Sequence, residues 1–293
     1  MTREHRRGPA GRVDLNFGQI DDALRDHLPV VCLHRAYVRS NERGLMAASA
    51  IEWTEATWNP TTGCDKTSPG CDHCYALTLA KRLKAMGQDK YQADGDPKTS
   101  GPGFRLTIHP SVLDAPRTWT SPRTVFVNSM SDLFHPDVPE EFIRRVFAVM
   151  EETPRHTYQI LTKRAQRLSE MADRLPWPDN VWMGVSIETQ QYAFRVKHLL
   201  RVDAAVRFVS AEPLLGLVEL DLTGIDWLIA GGESGTRARP VDPAWVASLR
   251  DQCLAYETAF FFKQWGGRTP KANGRELDGR PWSEYPRLRL RTP

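Results

Sequence analysis

Six short runs, nearly all apolar and rich in β-branched or aromatic residues, recur at 124–129 (TVFVNS), 157–161 (TYQIL), 181–186 (VWMGVS), 206–210 (VRFVS), 226–230 (DWLIA) and 259–263 (AFFFK). Stretches of helical period lie between them at 139–152, 164–174, 189–201 and 243–256, with another upstream at 75–87. Strands that lack a polar face are buried on both sides, and strands alternating with helices join in parallel. Crossovers of one hand curl such a sheet toward closure. The expectation is an α/β fold, a partial or complete (β/α) barrel of TIM type. No G-x-G-x-x-G follows an early strand, which speaks against an open doubly wound sheet. Pro139-Glu140-Glu141 and Asp242-Pro243 have the proline and acids of helix starts.

Residues 46–270 carry this pattern, with a polar, Gly/Pro-rich insertion at 88–103 expected to be mobile, and 271–293 read as a C-terminal tail. FRLTIHP at 104–110 reads as an extra strand beside the barrel. Residues 1–45 differ: they hold eight Arg, no Lys and six acidic residues, and Met46 opens a stretch that looks like a natural start. They read as a disordered basic arm or a spurious extension. The remaining 248 residues hold 31 basic and 30 acidic groups, so bulk charge gives no case for non-specific nucleic-acid binding. No apolar run approaches the roughly 18 residues of a membrane span, and no secretory leader is visible. A cytoplasmic location follows as the expectation, with thiols kept reduced.

Three of the five cysteines cluster as Cys64-x6-Cys71-x2-Cys74 in TTGCDKTSPGCDHCYA. Pro69 and Gly70 keep this stretch out of regular structure, so its thiols are candidate metal ligands. Three thiolates leave one position open on the metal they hold. The lone Cys253 falls in a helical stretch and reads as a buried apolar thiol, and Cys32 stands apart. A strand expected at 51–57 precedes the cysteine loop, placing it at the C-terminal rim of the barrel, where such folds carry their sites.

The strand ends at that rim are polar: Asn128, Ser129 and Asp132; Thr162, Lys163 and Arg164; Ser186 and Glu188; Ser210 and Glu212; Gly231, Gly232 and Glu233; Lys263 and Gln264. Repeated small-then-acidic endings suit a ligand that approaches the backbone closely. Lys163 and Arg164 read as an anion site or a solvated helix start. Asp132 and His135 read as proton-transfer groups or helix caps. Trp53, Trp58, Trp182 and Trp227 read as core, and Trp265 as a stacking platform.

The loop Cys71-Asp72-His73-Cys74-Tyr75, with Cys64 before it, resembles the cluster loop of radical S-adenosylmethionine (radical-SAM) enzymes, whose usual spacing is C-x3-C-x2-C. The wider set IEWTEATWNPTTGC, FVNSMSDLFH, LTKR, GVSIE, SAEPLL, IAGGESG and FFKQWGG is similar to the phage-associated gp thirty-seven / gp sixty-eight family. That family is regarded as radical-SAM-like, with distant similarity to spore photoproduct lyase. The resemblance implies an enzyme with a [4Fe–4S] cluster on Cys64, Cys71 and Cys74, S-adenosylmethionine as cofactor, and an electron donor such as flavodoxin or ferredoxin as partner. By position it also implies that Asn128 and Ser129 meet the methionyl amino group, Ser186 and Glu188 the ribose, Arg195 the methionyl carboxylate, and Gly231 and Gly232 the adenine. A nucleic-acid substrate would need a local groove, with Arg105, Arg123, Lys163, Arg164, Arg237 and Arg239 as candidates. Two other readings stand beside this one. One is a closed Cys3His zinc site using His73, His109 or His135. The other is a barrel that binds nucleic acid or a partner without catalysis.

Overall fold

In a computed structural model, described for Ser49 and residues 51–287, the strands are β1 (Ala56–Trp58), β2 (Thr61–Thr62), β3 (Thr107–Ile108), β4 (Thr124–Val127), β5 (Thr157–Thr162), β6 (Val181–Ser186), β7 (Val206–Ala211), β8 (Trp227–Gly231), β9 (Ala259–Gln264), β10 (Glu276–Leu277) and β11 (Arg280–Pro281). The α-helices are α1 (Tyr75–Ala85), α2 (Glu140–Glu152), α3 (Ala165–Met171), α4 (Arg195–Leu199) and α5 (Pro243–Ala255). Seven strands form one sheet in the order β1-β4-β5-β6-β7-β8-β9, every pairing parallel. The sheet is a curled half-barrel: among the described residues β1 and β9 are its edges, so the barrel is partial. The expectations for residues 1–45 and for Cys32 lie outside the described residues.

Alternation along the strands sorts their side chains onto two faces. Val125, Val127, Tyr158, Ile160, Val181, Met183, Val185, Val209, Leu228, Ala230, Phe260 and Phe262 face outward into one core with the apolar faces of α2, α3, α4 and α5. Phe126, Trp182, Val206, Phe208, Trp227, Ile229 and Phe261 face inward and join Trp53 in a second core, an aromatic plug at the bottom of the half-barrel. Trp53, Trp182 and Trp227 thus serve packing on the inside, and Trp58 packs on the outside. The plug depends on one missing side chain. Gly184 on β6 pairs with Phe208 on β7, and a Cβ at Gly184 would sit 2.4 Å from the Phe208 ring.

Four local expectations change. The first strand is shorter than 51–57: only Ala56–Trp58 pairs with β4, and the residues before it turn, delivering Trp53 into the plug. The stretch 189–201 divides into a 3-10 turn at Gln190–Tyr192 and the short α4. Insertion 88–103 is tied down: Gly103 N–H donates to Asp94 Oδ1 (2.7 Å), and Thr99 Oγ1 donates to Asp65 Oδ1 (2.6 Å). Part of the C-terminal tail is core, since Leu277 and Trp282 are buried in the outer cluster and Trp282 edges onto Phe260. The extra strand near 104–110 is β3, antiparallel to β2, and Asp242 caps α5 by accepting from Ala244 N–H. Among the described residues no helix is long and apolar enough to cross a membrane.

Gly184→Ala should cost about 1–3 kcal/mol through overpacking against Phe208, read by urea unfolding. A companion Phe208→Leu should recover part of that loss. An alanine variant as stable as the native chain would contradict this account of the plug.

Candidate metal centre

Above the plug, the next inward positions are Lys163, Ser186, Ser210, Gly231 and Lys263, each two residues beyond a plug-level position on its strand. Two residues further along β6, β7 and β8 come Glu188, Glu212 and Glu233. Each of these carboxylates takes a cation. Glu188 pairs with Lys163 and, at 3.1 Å, with Arg195; Glu212 pairs with Lys263 at 2.9 Å; Glu233 takes Arg239 at 2.6 Å. The mouth is therefore a ring of alternating charge above a buried aromatic floor.

The cysteine loop is docked on this ring. Glu188 is fully buried, and its Oε1 accepts from Ser68 Oγ (2.8 Å) and Lys163 Nζ while Oε2 accepts from Arg195 Nη1. Gly70 lies against it so closely that a Cβ there would sit 2.6 Å from Glu188 Cγ. Burial pushes the Glu188 carboxyl up, but the charges of Lys163 and Arg195 outweigh it and the carboxyl is held below its ordinary value. On the other side, Arg239 Nη2 donates to Pro69 O (2.9 Å) while His73 Nδ1 donates to Glu233 Oε2 (3.0 Å). Burial opposes ionisation of Glu233, yet the bonds from Arg239 and His73 bring its carboxyl down to about 2. The start of the loop is held by His135 Nε2 on Asp65 Oδ2 (2.9 Å) and Arg164 Nη2 on Asp65 O (3.2 Å).

Cys64, Cys71 and Cys74 are free, half-buried thiols. Burial pushes Cys64 up to about 12 against the opposing charge of Arg164, and the other two thiols lie close enough to raise it further. Burial likewise raises Cys74, with Cys71 adding to the shift. Cys71 is lowered: burial is outweighed by the charge of Lys163 and by bonds from Thr67 and Ser68. Ser68 Oγ and Thr67 Oγ1 each lie 3.9 Å from its sulfur. The three thiols thus share one electrostatic environment. Among the described residues no group of three or more His, Cys, Asp or Glu is arranged to hold a metal ion. By donor chemistry alone, three thiols with Lys163 and Arg164 beside them are a set that an iron–sulfur cluster would accept. The three histidines have other partners: His73 meets Glu233, His135 meets Asp65, and His109 Nε2 lies 2.8 Å from Thr62 Oγ1.

A family model described as a protein of unknown function (DUF5131) matches residues 48–286. The chain belongs to that family. No curated protein and no solved structure matches it. The matched span includes every strand from β1 to β11, so family membership covers the whole half-barrel and its mouth.

The other predicted positions fall into three groups. Ser186 is buried on the inner face, and its carbonyl accepts from Arg195 Nη1 (2.7 Å). Arg195 and Glu188 pair with each other at 3.1 Å, and Arg195 is buried and stacks 4.3 Å from the Tyr192 ring. Gly231 and Gly232 give up their side chains to the protein, since Cβ atoms there would meet Glu212 Oε1 at 2.8 Å and Trp265 O at 2.0 Å. Asn128, left-handed at φ 62, accepts from Thr61 N–H through Oδ1, and its buried Nδ2 has no partner. It therefore offers a donor through Nδ2, while Oδ1 keeps a second lone pair beside the Thr61 N–H. Ser129 Oγ donates to Asn59 Oδ1 (3.2 Å), and its carbonyl takes Tyr75 OH (2.5 Å). Asp132 is an internal hub for Thr162 Oγ1 (2.7 Å), Lys163 N–H (3.0 Å) and Arg164 rather than a cap of α2, which begins at Glu140. Trp265 packs edge-on to Phe262 and donates to Glu276 O (2.9 Å), which leaves it a packing role. Cys253 is buried, as expected. Of the candidate groove, Arg123 precedes β4, at the opposite rim, while Lys163, Arg164 and Arg239 are paired with carboxylates in the mouth. Sequence reasoning missed Ser68 and Gly70 as docking residues, and no spacing signal marks them.

Glu233→Gln should destabilise the protein by roughly 1.5–3 kcal/mol near neutral pH, the cost of a lost charge-assisted network. Because the native carboxyl sits near 2 rather than 4.5, its contribution is complete above about 4.5 and is lost as pH falls through about 2. Urea unfolding of both proteins across that window should show the deficit shrinking. A deficit of constant size would contradict the clamp.

Proposed function

We propose that this protein is an iron–sulfur enzyme of the radical-SAM type, with Cys64, Cys71 and Cys74 holding a [4Fe–4S] cluster at three corners. The observation that carries the reading is the docking of a three-thiol loop onto the C-terminal mouth of a parallel half-barrel, by the carboxylates Glu188 and Glu233. The resemblance of the loop and of the strand-end segments to radical-SAM proteins supports it. When bound, the reduced cluster supplies the electron that splits a sulfonium C–S bond of S-adenosylmethionine, giving methionine and a 5′-deoxyadenosyl radical that takes hydrogen from a substrate.

The chain's own residues provide the setting. Lys163 and Arg164 offset thiolate charge. Ser186 and Ser210 keep the inner face small above the floor, and the aromatic plug closes the half-barrel below. Asn128 Nδ2 is free to donate to a carboxylate or a ring nitrogen of the bound cofactor. Arg195 and Glu188 act at one remove, by fixing the loop. Electrons come from an external one-electron donor of the flavodoxin or ferredoxin class.

Anaerobic reconstitution of the full chain with iron and sulfide should give about four irons per chain. Dithionite with S-adenosylmethionine should then release 5′-deoxyadenosine. Cys71→Ala should lose the cluster absorbance. A colourless wild type with one zinc, or an intact cluster that yields no 5′-deoxyadenosine, would overturn the proposal.

A further inference from the structure

Arg164 follows the inward Lys163 and sits at the N-terminal cap of α3, yet its side chain turns under the cysteine loop and is only 10% exposed. Nη1 lies 3.5 Å from Cys64 Sγ and 3.4 Å from Asp132 Oδ2. Nη2 donates to Asp65 O at 3.2 Å. The backbone N–H of Arg164 is fixed on Thr162 Oγ1 (2.9 Å), whose hydroxyl donates in turn to Asp132 (2.7 Å). The guanidinium is therefore locked by a carboxylate, a carbonyl and its own backbone, and it spends a donor on a sulfur. Cys71 has neutral hydroxyls at 3.9 Å and feels the charge of Lys163, whereas Cys64 takes an N–H from a guanidinium directly.

We infer that Arg164 is a positioning and tuning residue that raises the reduction potential of a cluster held through Cys64. This rests on the iron–sulfur reading above. A reduced [4Fe–4S] cluster carries one more negative charge than the oxidised one. A fixed cation that donates an N–H to a ligating sulfur stabilises the reduced form more, and the half-buried site weakens solvent screening of that difference. The step is a single electron passing from the external donor to the cluster, with no proton transferred. Hydrogen bonds to charged groups are short and directional, so the effect depends on Arg164 keeping its place between Asp132 and Cys64.

The test is a dithionite redox titration followed by electron paramagnetic resonance, on full-length wild type, R164K and R164Q reconstituted with iron and sulfide. The R164Q potential should move negative of wild type, with R164K between them. Equal potentials in wild type and R164Q would overturn the inference and leave the cluster reading standing. A wild type that takes up no cluster would overturn both. Should R164Q fail to load iron, wild type grown on ¹⁵N-arginine decides the matter. Its reduced cluster should show a ¹⁵N hyperfine coupling without S-adenosylmethionine, and no coupling would refute the contact.

Discussion

The buried carboxylate of Glu188 is the interaction on which the mouth depends. It carries no exposed surface, and an ionised carboxylate there is tolerable only because Lys163, Arg195 and Ser68 surround it. Those partners come from three places: the end of β5, α4 behind the sheet, and the cysteine loop. One buried charge thus ties the loop to the barrel wall, and Gly70 is small because the loop lies directly on that side chain. Glu233 repeats the device two strands away through Arg239 and His73. With Asp65 held by His135, the loop is fixed at both ends and in the middle before anything binds to it.

The same inward register explains why the ring exists. Strand residues two apart share a face, so a chain that turns Gly184, Phe208 and Ile229 inward also turns in Ser186, Ser210 and Gly231 two residues later, and the three glutamates two residues after those. Charges at that height stand over a floor that cannot solvate them, and each has a cation within reach. Glu212 and Lys263 differ from the other two pairs in bridging β7 and β9 across the small Gly231 rather than gripping the loop.

Much of this was legible in the sequence. Six near-continuous apolar runs placed β4 to β9 almost to the residue, because strands buried on both faces show no polar interruption. The polar strand ends and the cysteine loop pointed to one rim. What did not show was direction. Arg195 looks like a ligand-seeking cation but turns inward under Tyr192, and Gly231 and Gly232 look like openings but are filled by Glu212 and by the Trp265 carbonyl. Lys163 and Arg164 are adjacent and chemically alike, yet one meets Glu188 and the other Cys64. Pairings across 25 and 100 residues leave no local pattern to read. The shortness of β1 was also hidden, since Trp53 is apolar enough to pass for strand while serving the plug.

The central claim is that three thiols hold a cluster and leave one iron open. Mössbauer spectroscopy of the ⁵⁷Fe-reconstituted protein, with and without S-adenosylmethionine, addresses it most directly. The account predicts a four-iron cluster in which one iron site changes when S-adenosylmethionine is added and the other three stay as they were. A spectrum that does not change, or a protein that takes up no cluster, would contradict it.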